Sequence, residues 1–195
     1  MEPISTTDPR ATTRARAYLG LGWPLVSGHR HRPRQGCTCD RPDCPVPGAH
    51  PKVDLGPRLT EDTLAGLDQA PGVSLIAVTE AMDAVIVPRR IGMAAMVYLD
   101  REGPIPCLTY RDTVALLVLP ATGRYAAVHQ DIEVRTGPDG WIALPPSHGT
   151  AWDTPPWTEP AGTPRPLRHG QDVGRELAEA LRLARRPLMP TEGQR

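Results

Sequence analysis

The sequence predicts a mixed fold of helices and strands, of the α+β class (α/β-type). Short runs rich in valine, isoleucine and leucine alternate along the chain with segments whose apolar residues recur at helical spacing. The 24 prolines and 18 glycines among 195 residues indicate many turns and short elements, and they argue against a helical bundle. Because phenylalanine is absent, leucine, valine, isoleucine, alanine and four tryptophans must build the core.

The N-terminal part of the chain is expected to hold one helix, one strand and a long loop. Asp8 and Pro9 suit an N-cap and a first helical position, which predicts a helix from there to about Leu19. The run WPLVSG at 23–28 predicts a short strand. A loop rich in cysteine and proline then continues to about residue 57.

The middle of the chain predicts two helices that flank a pair of strands. A short helix over 60–70 begins at Thr60, which is a favourable N-cap. Two β-rich runs, 72–80 and 82–88, predict strands separated by a tight turn. A longer helix is expected over 89–103. The inward face of this helix is predicted to carry Ile91, Ala94, Ala95 and Tyr98.

The C-terminal part predicts further strands and a final helix. A buried strand is expected at 113–120, and two or three strands within 123–147 surround a Gly-Pro-Asp-Gly turn. Residues 149–170 are rich in proline and are expected to form an irregular surface strap. The inward residues of the final helix are predicted to be Val173, Leu177 and Leu181.

These elements predict a single main domain with a helical appendage. The domain is expected to span 1–157 and to be followed by a proline-rich connector at 158–171. The C-terminal helix, at 172–187, is expected to pack on the same domain. No internal repeat divides the chain.

A cluster of metal-ligating residues stands out in the loop at 36–51. Three of the four cysteines and one histidine follow the spacing C-x-C-x4-C-x5-H. Three thiolates and one imidazole form a closed set that suits a structural, tetrahedral zinc ion with no open position for substrate. The nearby His29 or His31 could replace the histidine of this set. The predicted ligands are Cys37, Cys39, Cys44 and His50.

Charge and hydropathy restrict the expected localisation of the protein and the kind of partner that it binds. Lys+Arg and Asp+Glu both number 22, so the net charge gives no electrostatic argument for a nucleic-acid partner. No apolar run is long enough to cross a bilayer, and the N-terminus lacks a signal-type apolar stretch, so we expect a cytoplasmic protein without a membrane partner. Clustered cysteines in that compartment favour metal over disulfides.

Two stretches resemble the N-terminal domain of the bifunctional DNA primase/polymerase (Prim-Pol) family, part of the archaeo-eukaryotic primase superfamily. One is the loop GCTCDRPDCPVPGAHP at 36–51, and the other is VRTGPDGWIALPPSH at 134–148. With the order of the surrounding elements, the resemblance covers roughly residues 10 to 157. It implies two packed α/β units, one of RRM-like topology, and template-directed nucleotide transfer with two divalent cations, Mg²⁺ or Mn²⁺.

The resemblance also implies a set of catalytic acids, because two cations that clamp an in-line displacement need several carboxylates held close together. The family places two acids two residues apart on one strand, where both point to the same face. Ile86 and Pro88 stand at those positions here, with Glu80 and Asp83 as the nearest acids upstream. The strand at 111–120, where the family has a histidine, contains none.

The third acidic position of the family is retained. Glu133 precedes the glycine turn as the third acid does, and Asp131 is expected on the same face of an alternating strand. A solvated strand face explains this pair of acids equally well. Arg135 is a candidate phosphate contact, and Arg89 and Arg90, at the start of a helix, are further candidates for DNA or nucleotide contact.

Three functions are consistent with this pattern. The leading hypothesis is a Prim-Pol-like domain with impaired catalysis that binds DNA or nucleotide in a replication-related or accessory role, with replication or mobile-element proteins as partners. The first alternative is an active DNA primase/polymerase, a nucleotidyltransferase that uses Asp131 and Glu133 with other acids. The second alternative is a zinc-stabilised protein-interaction module with no affinity for DNA or triphosphate.

Overall fold

The structure, a computed structural model, describes residues 10–53, 55–159 and 162–184, and it confirms the mixed α+β class. The helices are α1 (Ala11–Gly20), α2 (Glu61–Leu64), α3 (Arg89–Glu102) and α4 (Gly170–Ala184), and a 3-10 turn covers Gly123–Ala126. The strands are β1 (Leu25–Ser27), β2 (His31–Arg32), β3 (Gly36–Cys37), β4 (Leu75–Val78), β5 (Asp83–Pro88), β6 (Cys107–Tyr110), β7 (Thr113–Val118), β8 (Glu133–Arg135), β9 (Trp141–Leu144), β10 (Thr150–Thr154), β11 (Trp157–Thr158) and β12 (Thr163–Pro164).

Two antiparallel sheets organise the domain. One has three strands in the order β1-β4-β9, and the other has five in the order β10-β6-β7-β5-β8. Short ribbons pair β2 with β3 and β11 with β12. The strands that flank the Gly-Pro-Asp-Gly turn, β8 and β9, therefore belong to different sheets, so this turn carries the chain from one sheet to the other.

The five-stranded sheet contains a β-α-β-β connection followed by one more strand. The chain runs from β5 through α3 to β6, turns into β7, passes through the 3-10 turn and returns as β8. In space β5 lies between β7 and β8, and β6 lies on the far side of β7. The strands thus follow the order 4-1-3-2, in which the 3-10 turn takes the place that a second helix has in the β-α-β-β-α-β motif.

Side-chain alternation divides the core into two layers on either side of the five-stranded sheet. Val85 and Leu116 pack against α3 and α4, whereas Ala84 and Leu117 pack against the three-stranded sheet and α1. Gly92 lets α3 approach the sheet closely, because a Cβ there would lie 2.1 Å from the side chain of Val114. Helices α3 and α4 cover one face of the sheet, and the second sheet covers the other.

The Pro-Pro-Ser segment is fixed by hydrogen bonds to the three-stranded sheet. The Ser147 hydroxyl accepts a hydrogen bond from the Leu75 amide at 3.0 Å and donates one to the Leu75 carbonyl at 3.2 Å. Ser147 is fully buried, and its neighbour His148 stacks on His31 instead. The serine therefore has a structural role, and it does not form a Ser-His catalytic pair.

Several sequence-based predictions differ from the structure. Strand β6 was not predicted, since prolines crowd its start, and the predicted strap at 149–170 contains the edge strand β10. The helix predicted at 60–70 is shortened to the single turn α2. Ala94 and Tyr98 are only half-buried. The buried residues of α3 are Ile91, Gly92, Ala95, Met96 and Leu99.

Parts of the two predicted terminal helices lie outside the described residues. Asp8, Pro9 and residues 185–187 lie outside the described residues. Helix α4 packs on α3 through Val173 and Leu177. No helix in the described ranges is long and apolar enough to cross a membrane.

Candidate metal centre and inter-sheet cleft

The four predicted zinc ligands converge on one point beside the three-stranded sheet. Their ligand atoms all lie within 4.8 Å of one another. The His50 Nε2 atom is 3.2 Å from the Cys37 Sγ and 3.4 Å from the Cys44 Sγ. Tetrahedral zinc with ordinary Zn–S and Zn–N bond lengths places such atoms about 3.5 Å apart. The cluster, completed by Cys39, therefore fits a single metal ion such as zinc.

Surrounding backbone groups prepare these side chains for a cation. The His50 Nδ1 lies 3.0 Å from the Pro51 carbonyl, and donation to this oxygen leaves Nε2 free to bind metal. Burial lowers the pKa of His50, which favours the neutral imidazole that metals require. The Arg41 amide lowers the pKa of Cys39. Burial raises the pKa of Cys44 to about 11, so this thiol needs a nearby cation to ionise at neutral pH.

The two alternative histidines make other contacts, although the His29 ring lies 4.6 Å from the His50 ring, measured between centroids. The His29 Nδ1 lies 3.2 Å from the Thr38 hydroxyl, and the His31 ring stacks on His148 with ring centroids 3.6 Å apart. His50 is the histidine that the structure brings into the four-residue group. The geometry therefore favours His50 over His29 and His31 as the histidine ligand.

A cavity of about 220 Å³ lies in the cleft between the two sheets. The loop at 36–51, called the cysteine loop below, forms part of its wall. Val46 and Ala49 line it from the loop, and Ile86 lines it from β5. Glu133 and Arg135 reach it from β8, because Glu133 pairs with Ile86 and Arg135 with Ala84 across the sheet. Ile86, which stands where the resemblance would place an acid, therefore faces the cavity with an apolar side chain.

Glu133 and Arg135 are bound to each other at the cleft. The Arg135 Nε donates to the Glu133 carboxylate at 2.6 Å, and its Nη1 donates to the Trp141 carbonyl at 3.1 Å. The guanidinium also lies 4.5 Å from the centroid of the Trp141 ring. Arg135 is thereby held over the ring, with its charge at the cleft.

The other predicted contacts lie away from the cavity lining. Asp131 occupies a turn before β8, where its carboxylate lies 3.5 Å from the His129 ring. Arg89 and Arg90 are the exposed first residues of α3, and the Arg89 amide donates to the Asp112 carbonyl at 2.7 Å. None of these residues lines the cavity in the described part of the chain.

The upstream acids are also separated from the cleft. Asp83 is 1% exposed and lies on the same side of β5 as Val85, facing the helices. Its carboxylate accepts a hydrogen bond from the Gly123 amide at 2.7 Å. Glu80 binds Arg58 at 2.7 Å. These two acids and Glu133 therefore do not share one pocket.

We expect Asp83→Ala to lower stability without changing ligand binding in the cleft. The substitution leaves the buried Gly123 amide unpaired, which costs about 1–3 kcal/mol. Urea unfolding would measure this loss, with Glu80→Ala as a control that costs less than about 1 kcal/mol because its ion pair is exposed. Loss of DNA or nucleotide binding by a stable Asp83→Ala variant would contradict this assignment.

Sequence reasoning missed one residue that supports the cleft. Arg111, in the tight turn between β6 and β7, donates to the Pro45 carbonyl at 2.7 Å and so ties this turn to the cysteine loop. It has a φ of 50°, a left-handed conformation that is uncommon outside glycine. The loop and the turn are 66 residues apart in the chain, so no local pattern could have paired them.

Comparison with protein-family models, curated proteins and solved structures gives no match for this chain. The functional assignment therefore depends on the residues of the site and on the sequence resemblance.

Proposed function

We propose that this chain is a Prim-Pol-like domain with an archaeo-eukaryotic primase fold and little or no polymerase activity, which binds DNA or a nucleotide in the inter-sheet cleft. The observation that carries this proposal is a convergence at one cavity. Glu133, Arg135 and Ile86, which the resemblance assigns to the nucleotide-transfer site, line it together with the cysteine loop. The two stretches that carry the resemblance are 83 residues apart at their nearest ends in the sequence, yet both reach this cavity.

The connectivity of the five-stranded sheet supports the proposed fold. The order 4-1-3-2, with a helix between the first and second strands, is the order of an RRM-like unit. The three-stranded sheet packs on the face opposite α3 and α4, which gives two packed units with a cleft between them. A role for the domain in replication, alone or beside partner proteins, follows from the same proposal.

The acids present do not fit a pair of divalent cations. Among the described residues that line the cavity, Glu133 is the one acid, and it already binds Arg135. Two-metal transfer requires several carboxylates that hold both ions about 3.5–4 Å apart. We therefore propose no reaction step through Mg²⁺ or Mn²⁺. The zinc ion would stabilise the loop that forms one wall of the cleft.

The side chains that line the cleft suit binding of a nucleotide better than catalysis of nucleotide transfer. Arg135 offers a guanidinium that could exchange Glu133 for a phosphate, since their ion pair is partly exposed to solvent. Trp141 and Ile86 provide apolar surface against which a base could pack. At about 220 Å³, the cavity is smaller than most small-molecule pockets, so it would hold part of a nucleotide.

Primer extension and binding assays test the proposal together. Zinc-loaded protein is expected to bind single-stranded DNA or dNTP with a salt-dependent affinity that Arg135→Gln reduces by about tenfold. It is expected to incorporate no nucleotide with Mg²⁺ or Mn²⁺. Incorporation that disappears in Glu133→Ala would instead establish an active polymerase. Absence of any binding would support a protein-interaction module.

A further inference from the structure

A second and larger cavity lies at another part of the fold, between the cysteine loop, β1 and α2. It has a volume of about 470 Å³, within the usual range for small-molecule sites. None of its lining residues belongs to the inter-sheet cavity. It is therefore a separate candidate site, which the proposed function does not use.

The lining of this cavity is basic. Arg30 and Lys52 contribute two cations, and no acid lines it among the described residues. Neither cation forms an ion pair with a carboxylate in the part of the chain that the structure describes. Lys52 is also the single lysine of the sequence. Two cations that line one cavity, with no acid among its described lining residues, favour an anionic ligand.

The remaining lining indicates what else such a ligand carries. Ser27 and Thr38 provide hydroxyl groups, and the Thr38 hydroxyl accepts a hydrogen bond from the Arg30 amide at 2.9 Å. Leu67 and Val73 add apolar side chains to the lining. A phosphate attached to a planar or apolar body would match this lining, because the phosphate pairs with the cations and the body packs on the apolar side chains.

Two residues of this lining are close in sequence to the candidate metal ligands. Thr38 lies between the ligands Cys37 and Cys39, and Lys52 follows His50 by two residues. The Arg30 carbonyl accepts a hydrogen bond from the Thr38 amide at 3.0 Å, which joins Arg30 to the same loop. A metal ion that fixes the loop would therefore also fix both cations relative to α2.

We propose that the cavity between the cysteine loop, β1 and α2 is a phosphate-binding site in which Arg30 and Lys52 hold the phosphate of a nucleotide-like ligand. The phosphate can come from a free nucleotide or from a nucleic-acid strand, since both present the same group. The site is distinct from the inter-sheet cleft, so the two can be tested independently.

The test is calorimetric titration of zinc-loaded protein with inorganic triphosphate, ATP and a dT20 oligonucleotide. Lys52→Met and Arg30→Met are each expected to weaken the binding of at least one probe by about tenfold or more. Lys52 is exposed, so its replacement should leave the fold intact. Arg101→Met is the matched control, since it removes an exposed cation on α3 that touches neither cavity. The probe affected identifies the source of the phosphate.

Two outcomes would overturn this site. The first is the absence of binding to all three probes. The second is binding that Lys52→Met and Arg30→Met leave unchanged. If Arg135→Gln alone weakens such binding, the phosphate lies in the inter-sheet cleft, so the phosphate site fails while the proposed function stands.

Discussion

Purified protein is expected to contain one zinc ion per chain, and Cys44→Ser is expected to lose it. Between residues 27 and 63, Ala49 is the one fully buried apolar side chain in the described part of the segment. Strands β2 and β3 add only two residues each. With so little apolar burial, this segment depends on metal coordination, which contributes directly to folding in small structural zinc sites.

The loss of structure that follows loss of zinc should be local, because the two sheets have their own cores. We expect Cys44→Ser, or removal of metal by a chelator, to increase amide exchange at residues 28–53 by about 100-fold or more while β4, β5 and β7 stay protected. The same change should weaken binding in the cleft, since Val46 and Ala49 form part of its wall. Elemental analysis and hydrogen exchange measure both effects.

A matched cysteine provides the control. Cys107 is fully buried in β6, and burial raises the pKa of its thiol to about 12. Cys107→Ala should therefore keep one zinc per chain, even if it lowers stability. His50→Ala should lose zinc, whereas His29→Ala should retain it. Full zinc content in Cys44→Ser or His50→Ala would show that the ligand set is wrong.

The metal cluster could be predicted from the sequence because its information is local. Four ligand types at short spacing, among prolines and glycines, already specify a loop that folds back on itself. The choice of histidine could not be made in the same way. His31 stacks on His148, which is more than a hundred residues away in the sequence. The local spacing of residues cannot predict such a contact.

The cleft depended on pairings that the sequence does not encode locally. Alternation in 82–88 predicted a strand, but it could not show that β8 would pair with β5 and place Glu133 opposite Ile86. The sequence around the Gly-Pro-Asp-Gly turn likewise could not show that this turn joins two sheets, since the same residues also suit a hairpin. Long-range register was the missing information in both cases.

The role of the tryptophans was also decided by tertiary packing. The absence of phenylalanine assigns the four tryptophans to the core, but the sequence could not show how deeply Trp157 is buried. The structure buries Trp157 completely, with its ring centroid 5.7 Å from that of Tyr18. A segment predicted as a surface strap thus contributes the largest side chain of the core.

Trp157→Ala is accordingly expected to cause the largest loss of stability among single core substitutions. Removing a fully buried indole leaves a cavity between α1 and the sheets, which typically costs about 3–5 kcal/mol. For a chain of this size, the loss corresponds to a fall in Tm of roughly 10 °C. Thermal and urea unfolding of the zinc-loaded protein would measure it.

Trp157→Phe separates the effect of lost packing from the effect of removing the buried indole N–H. The Trp157 Nε1 is buried without a hydrogen-bond partner in the described structure, and an unpaired donor of this kind destabilises the folded state. Phenylalanine keeps most of the contact with Tyr18 and removes the unpaired N–H, so its cost should be less than half that of alanine. An equal loss in both variants would mean that the indole N–H is hydrogen-bonded in solution, and the aromatic cluster would then depend on that bond as well as on packing.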